Sequence, residues 1–121
     1  MIFILLVWYP KCSTCQRAKK YLESQSQTFE VRDIVLNPLS EDEIRQCLVL
    51  SNKSISSFFN TSGLKYRSMR LKDKLPYMTE DEKLVLLASD GMLVKRPLLI
   101  LEDRVFVGFR EKEWSDLFEN C

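Results

Sequence analysis

The sequence predicts an α/β fold: a mixed four-stranded sheet laid out as β-α-β, a helical insertion, then β-β-α. Three observations carry that expectation. A continuous apolar run, Phe3 to Val7, is followed by a helical pattern and then by a second strand-like run ending at Val35. Two capping-box patterns, Ser40 with Glu43 and Thr79 with Glu82, open helices in the middle of the chain. Finally, Leu98 to Leu101 and Val105 to Phe109 are separated only by Glu102-Asp103-Arg104 and lead into an amphipathic stretch.

Each element has a local reason. Residues 3 to 7 are apolar without alternation, as in a strand covered on both faces. Pro10 stops that strand. A helix over Gln16 to Gln25 follows, with Cys15, Ala18, Lys19 and Leu22 at helical spacing and Tyr21 beside them. Arg17, Lys19 and Lys20 are read as its solvated face in preference to a charge cluster acting on Cys12. Thr28 to Val35 reads as a strand with Phe29, Val31 and Ile34 facing inward, closed by Asn37-Pro38. Strand, helix and strand in so short a span make a βαβ unit, so the two strands should run parallel with a right-handed crossover.

After Ser40, Ile44, Cys47 and Leu48 form an apolar helix face, which makes Cys47 a core residue. Ile55, Phe58 and Phe59 suggest a short helix, and Asn60 to Gly63 a loop in which Gly63 permits a left-handed backbone. Leu64 to Lys74 is weakly patterned, with a basic cluster at Lys65, Arg67, Arg70, Lys72 and Lys74. Leu84, Leu87 and Ala88 follow Thr79, with Gly91 as the expected C-cap. Glu111 opens a last helix carrying Trp114, Leu117 and Phe118 on one face. With no repeat, low-complexity tract or linker, residues 1–121 read as a single domain whose helical insertion spans residues 40–90. The sum is a thioredoxin-like sheet enlarged by its middle helices.

Composition narrows the chemistry. The chain has 121 residues, 45% hydrophobic and 29% charged, in the range of a globular domain with a real core. Its 18 basic and 17 acidic residues leave a net charge of +1, which gives no field to draw in nucleic acid. There is no histidine, which excludes Ser–His and Cys–His catalysis and any His-ligated metal within one chain. The apolar N-terminal run is too short to span a bilayer and lacks the basic leader and cleavage site of a signal peptide. A reducing, cytoplasmic location with no membrane partner is therefore the expectation. There, a pair of cysteines is more often catalytic or redox-sensing than structural.

That pair is Cys12-Ser13-Thr14-Cys15, at the strand-to-helix junction. A helix N-terminus offers partial positive charge and free N–H groups, so a thiolate there is stabilised. The spacing reads first as a thiol–disulfide pair, with Cys12 attacking and Cys15, one turn on, resolving. A structural zinc half-site and two incidental core cysteines are the alternatives. A four-cysteine zinc site would need Cys47 and Cys121, which lie far off in sequence. No bound metal or cofactor is expected. Lys95-Arg96-Pro97 is the second chemical element. Placed near Cys12, Arg96 would favour the thiolate and could bind an oxyanion; the alternative is a surface arginine before a strand-starting proline.

These residues also resemble a known family. Cys12-Ser-Thr-Cys15, Phe58-Phe59-Asn60-Thr61-Ser62-Gly63, Leu86 to Gly91, Val94-Lys95-Arg96-Pro97-Leu98 and Val107-Gly108-Phe109-Arg110 are similar to the arsenate reductase (ArsC) and Spx/MgsR family over nearly the whole chain. The resemblance implies a thioredoxin-like fold with a helical insertion and a cis bond before Pro97. From the arsenate reductases it implies Cys12 as nucleophile and Arg96 and Arg110 as oxyanion ligands, with Asn60 at the place of the first of three arginines and Arg67 nearby. Glutathione with glutaredoxin, or thioredoxin, would be the reductant, and a thiol or disulfide partner or a small oxyanion the substrate. From the Spx-type regulators, which carry such a CxxC as a redox switch, it implies binding to the C-terminal domain of the RNA polymerase α subunit. The glycine those proteins use for that contact would fall near Asn52, where this chain has none.

Overall fold

The computed structural model describes residues 3–119. Four strands, β1 (Leu5–Trp8), β2 (Glu30–Asp33), β3 (Leu98–Ile100) and β4 (Val105–Val107), form one sheet in the order β2-β1-β3-β4. The β1–β2 pair is parallel, and the β1–β3 and β3–β4 pairs are antiparallel. The sheet is mixed and four-stranded, as the sequence predicts.

Its two faces explain the unalternating apolar runs. Ile4, Leu6, Leu99 and Leu101 meet α1 (Ser13–Ser24) and α6 (Glu111–Glu119) through Ala18, Leu22 and Trp114. Val7, Leu98 and Val105 meet the insertion, including Ile44 and Cys47 of α2 (Glu41–Ser51). Leu6 and Val7 are both fully buried although they point to opposite faces. Cys47 sits in the core, as expected of a small hydrophobe.

Both capping boxes form. Ser40 and Glu43 close the start of α2, and Thr79 and Glu82 close the start of α5 (Glu80–Ser89). Glu43 also takes Arg32 of β2, so one carboxylate caps a helix and ties it to an edge strand.

Several local expectations need correction. Helix α1 begins at Ser13, not Gln16, which leaves Cys12 as its N-cap. The second strand is shorter than residues 28–35, and Val31 is 46% exposed because β2 is an edge that no helix covers there. Ile55–Phe58 is a 3-10 turn. Leu64 to Lys74 splits into α3 (Leu64–Ser68) and α4 (Leu71–Lys74), broken at Arg70, whose φ of 54° is left-handed. Gly63 is extended, with φ −78°, and caps α3 instead of supplying a left-handed residue. The C-cap of α5 is Asp90, not Gly91. Gly91 is needed for room: a Cβ there would lie 2.3 Å from the carbonyl oxygen of Ile34. The left-handed glycine is Gly108, with φ 79°, just past β4.

Candidate active site

The site forms where β1 hands over to α1. The chain turns at Tyr9, whose carbonyl accepts the Cys12 N–H at 3.0 Å. The Cys12 carbonyl then accepts the Gln16 N–H at 3.0 Å, the first bond of the helix. The Gln16 side chain donates back to the Pro10 carbonyl at 2.7 Å, tying the turn to the first helical residues. Cys12 is thus held at the helix N-terminus in extended conformation, φ −91° and ψ 120°.

Position makes the two cysteines unlike. Cys12 is half-buried, whereas Cys15 is sealed from solvent. Burial opposes ionisation of Cys12, but the Cys15 N–H, the Cys15 thiol, the Arg96 charge and the Thr14 N–H together outweigh it and hold Cys12 below its ordinary pKa. The Cys12 side chain makes no capping bond within ordinary hydrogen-bond geometry, and the N–H groups near its sulfur favour the ionised form. Cys15 goes the other way. Burial, then its hydrogen bond to Cys12 and the charge of Cys12, push it up to about 12, against the pull of the Tyr9 N–H and Arg96. Arg17, Lys19 and Lys20 are not among the groups that set either value. Lys19 lies over the Trp8 ring at 4.9 Å instead.

Arg96 arrives from the other side, on the segment that enters β3, and its bond to the buried Pro97 is cis. Its Nη1 donates to the carbonyls of Val94 at 3.2 Å, Met92 at 3.4 Å and Gly91 at 3.5 Å. Its Nε is buried with no partner among the described residues. The guanidinium lies over the ring of Tyr9, 5.4 Å from the centroid. The Pro97 carbonyl accepts the Gly108 N–H at 2.8 Å, which links this segment to the end of β4.

The remaining sequence-derived residues fall elsewhere. Asn60 is tied to the approach to Arg96: its N–H donates to Leu93 at 2.8 Å, and its neighbour Phe59 bridges Val94. Arg110 has an 80% exposed side chain, 4.0 Å from Glu113. It lines a cavity of about 480 Å³ between the end of α2 and β4, with Asn52, Lys53, Lys95 and Arg104, and neither Cys12 nor Cys15 borders that cavity. The structure therefore brings Cys12, Cys15 and Arg96 together, while Arg110 borders a cavity that neither cysteine lines. Cys121 lies outside the described residues. Among those described, no three cysteines or carboxylates converge to hold a metal ion, and no helix is long and apolar enough to cross a membrane. The sequence reading missed Tyr9; its signal was an aromatic residue between the strand and the cysteine pair.

A profile of the ArsC family matches residues 7–117. The chain belongs to the ArsC family. Within it, the chain is 48% identical over 109 residues to the uncharacterized protein YusI of Bacillus subtilis, covering 90% of this chain and 92% of that one. It is 29% identical over 111 residues to the global transcriptional regulator Spx of Listeria innocua, covering 91% and 82%. A crystal structure from Bacteroides fragilis, described as ArsC family related, superposes with a TM-score of 0.91 at 45% identity, covering 94% of this chain and 96% of the other. The ArsC family thus supplies the thioredoxin-like frame, and the site described above sits at the N-terminus of its first helix.

Proposed function

We propose that this ArsC-family chain is a thiol–disulfide oxidoreductase in which Cys12 attacks and Cys15 resolves. The observation that carries the reading is the opposed placement of the two sulfurs: one half-exposed and favoured as thiolate beside Arg96, the other buried and held as thiol. Thiolate Cys12 attacks one sulfur of a disulfide, forming a mixed disulfide and releasing the other half as thiolate. That step removes the negative charge from Cys12. The two causes of the raised Cys15 pKa that come from the Cys12 thiolate, its hydrogen bond and its charge, disappear with it, so Cys15 loses its proton more readily just when it is needed. Cys15 then attacks the Cys12 sulfur, expels the bound half as thiolate and leaves a Cys12–Cys15 disulfide. An external thiol, from glutathione with glutaredoxin or from thioredoxin, returns the pair to the reduced state.

Arsenate is the narrower substrate within this reading. Arg96, with its unused Nε, suits an oxyanion, whereas Asn60 stands where the arsenate reductases place an arginine. The test is turnover of a glutathione mixed disulfide and of arsenate, each coupled to glutaredoxin or thioredoxin. Cys12→Ser should abolish turnover, and an unchanged rate would reject the assignment. No turnover of either substrate would overturn the reading.

A second reading is favoured by the relatedness to Spx and by the cation-rich cavity at Asn52. In it the pair is a redox switch on a protein that docks to the C-terminal domain of the RNA polymerase α subunit. Pull-down with that domain under oxidising and reducing conditions separates the two, and absence of binding in both states removes the second.

A further inference from the structure

We infer that Tyr9 is a positioning residue, whose ring forms the platform that keeps the Arg96 guanidinium beside Cys12. The inference rests on the reading of Cys12 as the attacking thiol, and it adds a residue that the family resemblance does not supply.

Little else holds Arg96. Its recorded hydrogen bonds all leave from Nη1, and all three reach carbonyls of its own approach segment, residues 91 to 94, at 3.2 to 3.5 Å. These are long bonds: the one to Val94 is at the upper limit of the usual N–H···O range and the other two are beyond it. Nε is buried and unpaired. No carboxylate pairs with Arg96 among the described residues. The group that the guanidinium lies over is the Tyr9 ring, whose centroid is 5.4 Å from the guanidinium carbon. A partly desolvated cation over an aromatic face is attracted by the ring quadrupole, more strongly than at an open surface.

Tyr9 is itself well anchored. Its ring packs against the core cluster beneath the insertion. Its carbonyl accepts the Cys12 N–H, and its N–H favours the ionised form of Cys15. One residue at the end of β1 therefore sets the position of both sulfurs through its backbone and of the cation through its ring. The charged and titratable groups acting on Cys12 are Cys15 from α1 and Arg96 from the segment entering β3. If the platform is removed, Arg96 can swing away and its effect on Cys12 weakens.

The experiment measures the Cys12 thiol pKa from the pH dependence of its alkylation rate in the full chain. It compares wild type, Tyr9→Leu, Tyr9→Phe, Arg96→Met and the double variant Tyr9→Leu/Arg96→Met. Tyr9→Leu should raise the Cys12 pKa by about half a unit to one unit, a three- to tenfold loss of thiolate at a pH below it. Tyr9→Phe keeps the ring and should restore the wild-type value. In the Arg96→Met background Tyr9→Leu should add nothing, because the two act through one another. A Tyr9→Leu pKa equal to wild type overturns the inference. So does a shift of the same size in the Arg96→Met background, which would make Tyr9 a merely structural neighbour. If Tyr9→Leu does not fold, Tyr9→Met carries the same comparison. Because the readout is a thiol pKa, it holds or fails independently of any substrate, so failure of the oxidoreductase reading in a turnover assay is a separate outcome.

Discussion

The fold gives Cys12 and Cys15 opposite reactivity, and alkylation reads that difference directly. The perturbation is iodoacetamide at pH 7, with Cys12→Ser and Cys15→Ser as comparisons, in a Cys121→Ser background so that the terminal thiol does not contribute. Cys15 lies at about 12 instead of the usual 9.0. At pH 7 that leaves about one molecule in 10⁵ ionised, against about one in 10² for the ordinary thiol, so ionisation alone slows Cys15 about a thousandfold. A more basic thiolate is a better nucleophile, which over three units returns a factor of about 15 to 30. The net slowing is about 30- to 60-fold before shielding is counted, and Cys15 is 0% exposed. Cys47, pushed up to about 11 by burial, is the internal control for a slow core thiol. Time points are mapped by mass spectrometry. Cys12 should label first, with Cys15 and Cys47 following only at long times or after unfolding. Cys12→Ser removes the Cys12 charge and the hydrogen bond to the Cys12 sulfur but not burial, the largest cause of the Cys15 shift, so Cys15 should stay slow in that variant. Cys15 labelling within about threefold of Cys12 in the folded protein would refute the assignment of attacking and resolving roles.

Three further outcomes are expected. Gly91→Ala places a methyl group 2.3 Å from the Ile34 carbonyl oxygen, a backbone atom that cannot rotate away; it should cost about 1–3 kcal/mol or more, and an unchanged melting temperature would contradict the packing. The hydrogen bond from Arg32 holds the Glu43 carboxyl down at about 2. The folded value lies below the unfolded one, so the contribution is present above the usual 4.5 and is lost as pH falls toward 2. The shift would convert to about 3 kcal/mol, but the Glu43 side chain is 42% exposed, and screening reduces it to about 1 kcal/mol. Glu43→Gln should therefore flatten the acid-unfolding profile between those pH values, and a profile parallel to wild type would count against the pair. Thr79→Ala, which removes the capping box of α5, should lower denaturant stability by about 1 kcal/mol, with no change in Cys12 labelling.

Much of the frame was legible along the chain, and the reasons are local. The apolar run needed cover on both sides, and residues 4 to 7 have it from two separate clusters, whereas Phe3 at its start is exposed. Each capping box pairs residues three apart, so nothing distant can disturb it. The errors fell where a distant partner decides. Val31 has the right residue type for an inward strand position, but β2 is an edge and its outer side is uncovered. Gly91 looks like a helix stop by sequence, whereas its role is to let the chain pass close to Ile34, 57 positions earlier in the numbering.

By itself, the sequence determined the order of elements, the starts of the two box-capped helices and the presence of two thiols one turn apart, because these depend on residue periodicity and on bonds between near neighbours. The tertiary structure alone decided which cation reaches the sulfur and what holds it there. Tyr9 is a near neighbour of Cys12, but Arg96 comes from the far end of the chain, and only the pairing of β3 beside β1 brings its charge to the ring and to Cys12. Coulomb and quadrupole forces act over a few ångströms of space and are indifferent to separation along the chain.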